Sequence, residues 1–394
     1  MDAPSDGRGV LKMTTRQWVA AILLGACLGS EAEMPAERTG TIEMLAQPPG
    51  PHWVWVYDML YDYMADGRAS LLDGDSGRFL GMLSTGYSFT QLTLPRGYHE
   101  IYSAETHYSR TTRGTRTDIV AVYDPRTLAP IAEIAIPPKR GSTIPTLHNV
   151  VLTDDDRFLL VFNITPATSV SVVDVRERRF VEEVEAPGCS LIYPAGPRRF
   201  FMLCQDGGLL MVDLDDSGHA TSKRRSEPFF DPDRDPISEK GVRYGNTWLF
   251  ASFDSYVHAV DVGGAEPAFA PKWSLVSAAE RAGSWRMGGT QHLAVHEASG
   301  RLYSIMHQGG PYTRKDPGTQ VWVYDLATRE RVQIIELNEP AGLVVVTRDD
   351  APLMFTADVP VNAINVYDPR GGSFLRRIDE VGYTPTGMQA PWRP

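Results

Sequence analysis

His292 and His296 have the spacing closest to a metal-ligand pair, four residues apart. Zinc ligation by such a pair needs a helix, which brings positions four apart onto one face, and a third ligand. The segment His292-Leu-Ala-Val-His296 instead alternates like a strand, so no metal site is assigned. His307, in Met306-His-Gln-Gly-Gly-Pro311, reads as part of a turn after a strand. No CxxC, phosphate-cradling glycine loop or GxSxG occurs. No residue is therefore assigned a catalytic role. Arg110, Arg113 and Arg116 form a basic cluster in His107-Tyr-Ser-Arg-Thr-Thr-Arg-Gly-Thr-Arg-Thr-Asp118. Two readings stand: an anchor for a partner's carboxylates, or a solvated loop pairing with nearby acids such as Asp118.

The cysteines and the N-terminus bear on the compartment. Lys12 and Arg16 precede the apolar run 18–28, and Ser30-Glu-Ala32 offers small residues at a cleavage site. That run is about half of the roughly 20 residues that span a bilayer, so no transmembrane span is predicted. Residues 1–32 read as a signal peptide, with a buried helix as the alternative and Met13 as a second possible start. Leu24-Gly-Ala-Cys27 resembles a lipoprotein cleavage box, which would leave Cys27 lipidated. With the leader gone, Cys189 and Cys204 remain. In an oxidising compartment they form either a disulfide between neighbouring strands or two buried thiols.

These residues are spaced along a repeat. An alternating apolar run ends in Asp, turns, and is followed by a second run. The copies end at Asp73, Asp124, Asp174, Asp213, Asp261, Asp325 and Asp368, 39 to 64 residues apart. Each Asp can accept bonds from backbone N–H groups two residues on, which starts a tight turn. Such a period with paired strands predicts an all-β, seven-bladed β-propeller, one four-stranded blade per repeat. The alternative is an irregular array of β-sandwiches. Runs such as Phe158-Leu-Leu-Val-Phe162 and Phe200-Phe-Met-Leu-Cys204 supply inner strands. Residues 53–57, or the tail after Tyr383, complete the last blade. A short helix is predicted at 277–283, inside the longest interval. Residues 33–50 read as a loose arm and 51–394 as one propeller domain. The net charge of −11 argues against a nucleic-acid or anionic-membrane partner.

The arginine cluster also carries a family resemblance. Thr106-His-Tyr-Ser-Arg-Thr-Thr-Arg-Gly-Thr-Arg-Thr-Asp-Ile-Val-Ala-Val-Tyr-Asp124 resembles the segment before the second repeat in the heavy chains of methylamine and aromatic amine dehydrogenases. Pro137-Pro-Lys-Arg140 is closer to the aromatic amine type. Further matches are Pro166-Ala-Thr-Ser-Val-Ser-Val-Val-Asp174, Phe201-Met-Leu-Cys204-Gln-Asp-Gly-Gly208, Trp285-Arg-Met-Gly-Gly289 and His296-Glu-Ala-Ser-Gly-Arg-Leu-Tyr303. Together they span about residues 68–370. Met287, where the family usually has Pro, and the loop 141–148 depart from the pattern.

The resemblance implies a periplasmic assembly of two heavy and two small, Cys-rich light chains. It implies no cofactor in the heavy chain. The light subunit holds a tryptophan tryptophylquinone, oxidises primary amines to aldehyde and ammonia, and passes electrons to a cupredoxin or cytochrome. With 8 Trp and only 3 Cys, this chain does not match the light one. After Gly81-Met82 the family has an aromatic residue lining the substrate channel. The matching position is Tyr87, with Phe89 as a weaker neighbour. Cys189 and Cys204 match the heavy chain's cysteine pair, which supports a disulfide. The competing functions are a propeller lactonase or hydrolase with an axial metal, and a non-catalytic secreted binding protein.

Overall fold

Each of the seven marker aspartates lies at, or within one residue of, the end of the third strand of an antiparallel blade. The computed structural model describes residues 43–61, 64–89, 91–142, 146–359 and 361–392. The predicted leader with Cys27, and residues 33–42 of the arm, lie outside the described residues. Seven sheets follow one another along the chain, six of four strands and one of five. Most neighbouring first strands touch one another around a central axis. This is a seven-bladed β-propeller.

The ring closes through both segments proposed for the task. Strand Trp53–Asp58 pairs antiparallel with the C-terminal strand Pro385–Gln389, which is the innermost strand of the first blade. Asp58 locks the join. Its buried carboxylate accepts bonds from the backbone N–H groups of Leu60, Tyr383 and Thr384 and from the Thr384 hydroxyl. The Gln291 side chain, from the sixth blade, grips Met388 on both sides: its Nε2 donates to the Met388 carbonyl and its Oε1 accepts from the Met388 N–H.

Six of the seven markers cap their turns as expected. The Asp124 side chain, for example, accepts from the backbone N–H groups of Arg126 and Thr127. Asp213 departs. Arg199, Ser222 and Arg224 take its carboxylate, and Asp215 caps the turn instead. Burial opposes ionisation of Asp213, but those bonds outweigh it and hold its pKa down at about 2. The predicted helix forms at Ala278–Ala282, where Ser277 and Glu280 cap each other's backbone.

Period-2 alternation ordinarily marks strands with one buried face. Several second and third strands are instead buried on both: Trp53–Asp58, Phe158–Asn163 and Ser169–Asp174 have no exposed residue. Each blade is covered on both faces by its neighbours, so polar residues there need partners. Asn163 provides them, donating to the hydroxyls of Ser169 and Ser171 at 3.0 Å. Alternation with solvent survives in fourth strands such as Ala220–Arg225. Cys189 and Cys204 lie directly opposite on paired strands of the fourth blade and form a disulfide.

Histidine also joins blades. His52 Nδ1 bonds Asp75 at 2.8 Å and its Nε2 lies 3.2 Å from Asp349, which bridges the first and seventh blades. Burial works against a charge on His52, but the bond to Asp75 and the two carboxylates outweigh it, and its pKa is raised above 6.5. Protonated His52 therefore favours the folded state. That contribution is complete below about pH 6.5 and fades as pH rises through the raised value. Thermal melts are expected to show the wild type losing about 1 kcal/mol or less between pH 6 and 8.5 relative to His52→Gln. Parallel pH profiles for the two proteins would remove His52 from the seam's stability.

Candidate functional site

In an antiparallel blade the connections alternate ends. Blade-to-blade crossovers and second-to-third-strand hairpins therefore share one face of the propeller, opposite the Asp-marked turns. On that first face the crossover 85–89 carries both aromatic residues assigned by resemblance. Three neighbours clamp it. Thr85 N–H donates to the Gly67 carbonyl, Tyr87 N–H to Thr106, and Phe89 N–H to Ser142. Gly86 has φ +77°, and a Cβ there would sit 2.7 Å from the Thr106 carbonyl, so only glycine lets the loop lie this close.

The support is an extended hairpin, strands Ile101–Arg110 and Arg113–Tyr123. Its base is buried and its tip is exposed. Polar residues at the base form one network. Asp118, 1% exposed, accepts a fork from Arg116 at 2.8 and 2.7 Å, the Thr106 hydroxyl at 2.9 Å and the Arg140 N–H at 3.1 Å. The Arg140 side chain donates through Nε to the Thr106 hydroxyl at 2.8 Å. Its other nitrogens reach the carbonyls of Phe89 at 3.5 Å and Tyr87 at 3.4 Å. Burial lowers the Arg140 pKa to about 10, against the pull of Asp118 and Glu105. Glu105 accepts from the Tyr123 hydroxyl at 2.7 Å and bonds His107 Nε2 at 2.9 Å. That bond to Glu105, helped by its charge, outweighs burial and raises the His107 pKa. Two buried carboxylates thus face two guanidinium groups, the pairing that lets charge persist in an interior.

The predicted residues are only partly brought together. Tyr87 is half-buried, and its ring meets Tyr108 of the hairpin edge-on at 5.2 Å. Phe89 is 3% exposed, edge-on to Tyr57, and lines a cavity of about 70 Å³ near the axis with Thr146, His148 and Thr290. Arg116 pairs with Asp118. Arg110 and Arg113 oppose each other across the exposed tip. Sequence reasoning gave no role to Glu105, Tyr108 or Arg140. The usable signal was polar residues at the inward positions of an otherwise apolar strand, Ser103 and Glu105.

Burial pushes His148 and His292 down to about 4, so both are neutral near pH 7. His296 bonds the Ser299 hydroxyl and the Asp349 carbonyl. Among the described residues no three His, Cys, Asp or Glu side chains are grouped to hold a metal ion. Among them, too, no helix is long and apolar enough to cross a membrane.

Solved structures of similar shape include a functionally unknown protein from Desulfotomaculum acetoxidans DSM 771, at TM-score 0.57 and 11% identity, covering 87% of this chain and 100% of that one. Another is the β-propeller domain of Myceliophteria thermophila Cps50 (Swd1), at TM-score 0.56 and 12% identity, covering 85% and 99%. Both support the fold alone. Among sequences, the methylamine dehydrogenase heavy chain of Paracoccus versutus is 30% identical over 364 residues, 92% of this chain and 84% of the relative. That of Methylophilus methylotrophus is 30% identical over 320 residues, 80% and 78%. The family profile described as methylamine dehydrogenase heavy chain (MADH) matches residues 52–390, from the residue before the first blade strand to the residue after the last. With ring, hairpin and crossover all inside that match, the chain belongs to the methylamine dehydrogenase heavy chain family.

Proposed function

We propose that this chain is the large, cofactor-free subunit of a periplasmic amine dehydrogenase, delivered by the leader 1–32. The observation that carries this reading is the family match across every blade. Two copies would assemble with two small Cys-rich light subunits, each bearing a tryptophan tryptophylquinone. The quinone supplies the oxidation of a primary amine to aldehyde and ammonia, with electrons leaving to a cupredoxin or cytochrome.

This chain's residues position and admit. The network of Glu105, Asp118 and Arg140 holds the crossover 85–89 against the hairpin. Tyr87 then stands as an aromatic wall at the substrate channel, with a phenol as polar handle. In this reading Arg110 and Arg113, exposed at the hairpin tip, bind carboxylates of the light subunit. In the assembled enzyme, Tyr87→Ala is expected to change the ratio of kcat/KM between a bulky aromatic amine and methylamine by roughly 10-fold, with assembly intact. Unchanged kinetics for both amines would take Tyr87 out of the channel.

A further inference from the structure

The opposite face holds a second site. First-to-second-strand turns bring Arg96, Asp154, Glu297 and Arg348, and the strand Val242–Tyr244 brings Arg243, to one mouth of an axial cavity of about 500 Å³ that Trp392 also lines. Most of these charges are already engaged. Arg243 forks onto Asp154 at 2.7 and 2.9 Å. Glu297 accepts from the Gly245 N–H at 3.2 Å, and Asp156 from the Arg96 N–H at 2.9 Å. The guanidinium groups of Arg96 and Arg348 differ. Both lie over the same Trp392 indole, at 5.1 and 3.5 Å from its centre. Both residues are exposed, and among the described residues neither side chain makes an ion pair; burial lowers the Arg348 pKa to about 10, with Glu297 favouring its charge and Arg96 opposing it. Away from the mouth the cavity wall includes Leu92, Leu94, Leu152, Val295, Val346 and Met388.

Two like charges held on one ring, with hydrogen-bonding edges unused, are arranged to receive an anion. A guanidinium offers a carboxylate two parallel donors, and the indole face keeps each cation in place. Three carboxylates balance the three cations of the mouth, so capture rests on directed bonds rather than on long-range attraction. The apolar wall extends the contact, in a cavity of the size that holds small ligands. We propose that this mouth binds an amphipathic organic monoanion, its carboxylate on Arg96 and Arg348 and its apolar body in the axial cavity. The site is independent of amine oxidation and of the family reading.

The test is calorimetric titration of the purified full chain with octanoate at low ionic strength, beside octan-1-ol and acetate. One saturable octanoate site is expected, with octan-1-ol and acetate each at least roughly 10-fold weaker. Arg96→Gln and Arg348→Gln should each weaken octanoate by a similar factor while leaving the melting temperature unchanged. The proposal is overturned if octanoate shows no saturable binding, if octan-1-ol or acetate binds as well, or if the double variant Arg96→Gln/Arg348→Gln binds octanoate like the wild type. Should a variant fail to fold, the three-ligand comparison on the wild type decides alone.

Discussion

Asp118→Ala is expected to destabilise the protein by about 3–5 kcal/mol, the range for removing one partner of a buried charge pair. The carboxylate is 1% exposed and receives Arg116, Thr106 and the Arg140 backbone. Without it the Arg140 guanidinium, 3% exposed, loses the carboxylate that most favours its charge. Because Arg140 also reaches the Tyr87 and Phe89 carbonyls, the crossover should loosen with the core of the hairpin. Urea unfolding measures the first effect, and limited proteolysis between residues 84 and 90 the second. Asp118→Asn keeps the shape and some acceptor capacity, so it should cost less than Ala. A loss under about 1 kcal/mol for Ala would mean that the network is not what holds the loop.

Truncation after Asp379 is expected to have the larger effect, abolishing a stable monomeric ring. It removes the innermost strand of the first blade and strips the Trp53–Asp58 backbone of one ladder partner. It also leaves the Gln291 side chain without Met388, and the Asp58 carboxylate without Tyr383 and Thr384. Met388, now 0% exposed, contributes about 2–3 kcal/mol through burial alone. Insoluble protein, or a chain that melts at least about 10 °C lower, is the expected outcome. A truncated chain that melts like the full one would show that closure does not depend on the mixed blade.

What the sequence revealed depends on how local each feature is. An Asx-capped turn and a short capped helix are made by residues within a few positions of one another, so six of the seven Asp markers and residues 277–283 could be read directly. Asp213 deceived because its partners Arg199 and Arg224 come from the adjacent strands. The innermost strands were largely illegible. Leu92–Thr93 and Val150–Leu152 have only two and three residues, too few to show a period. Closure was legible as a requirement, and both candidate segments take part in it because they pair with each other. The polar network at the site joins three separate segments, 105–107, 116–118 and Arg140, and nothing in their spacing announces it. Family resemblance placed Tyr87. Its ring contact with Tyr108 and its hold by Arg140 emerged only from the fold.

Purification from the native host, followed by a visible spectrum, tests the central claim most directly. A small Cys-rich subunit is predicted to co-purify with this chain and to carry a visible quinone absorption that bleaches when a primary amine is added. A lone chain with no chromophore and no amine oxidation would contradict it.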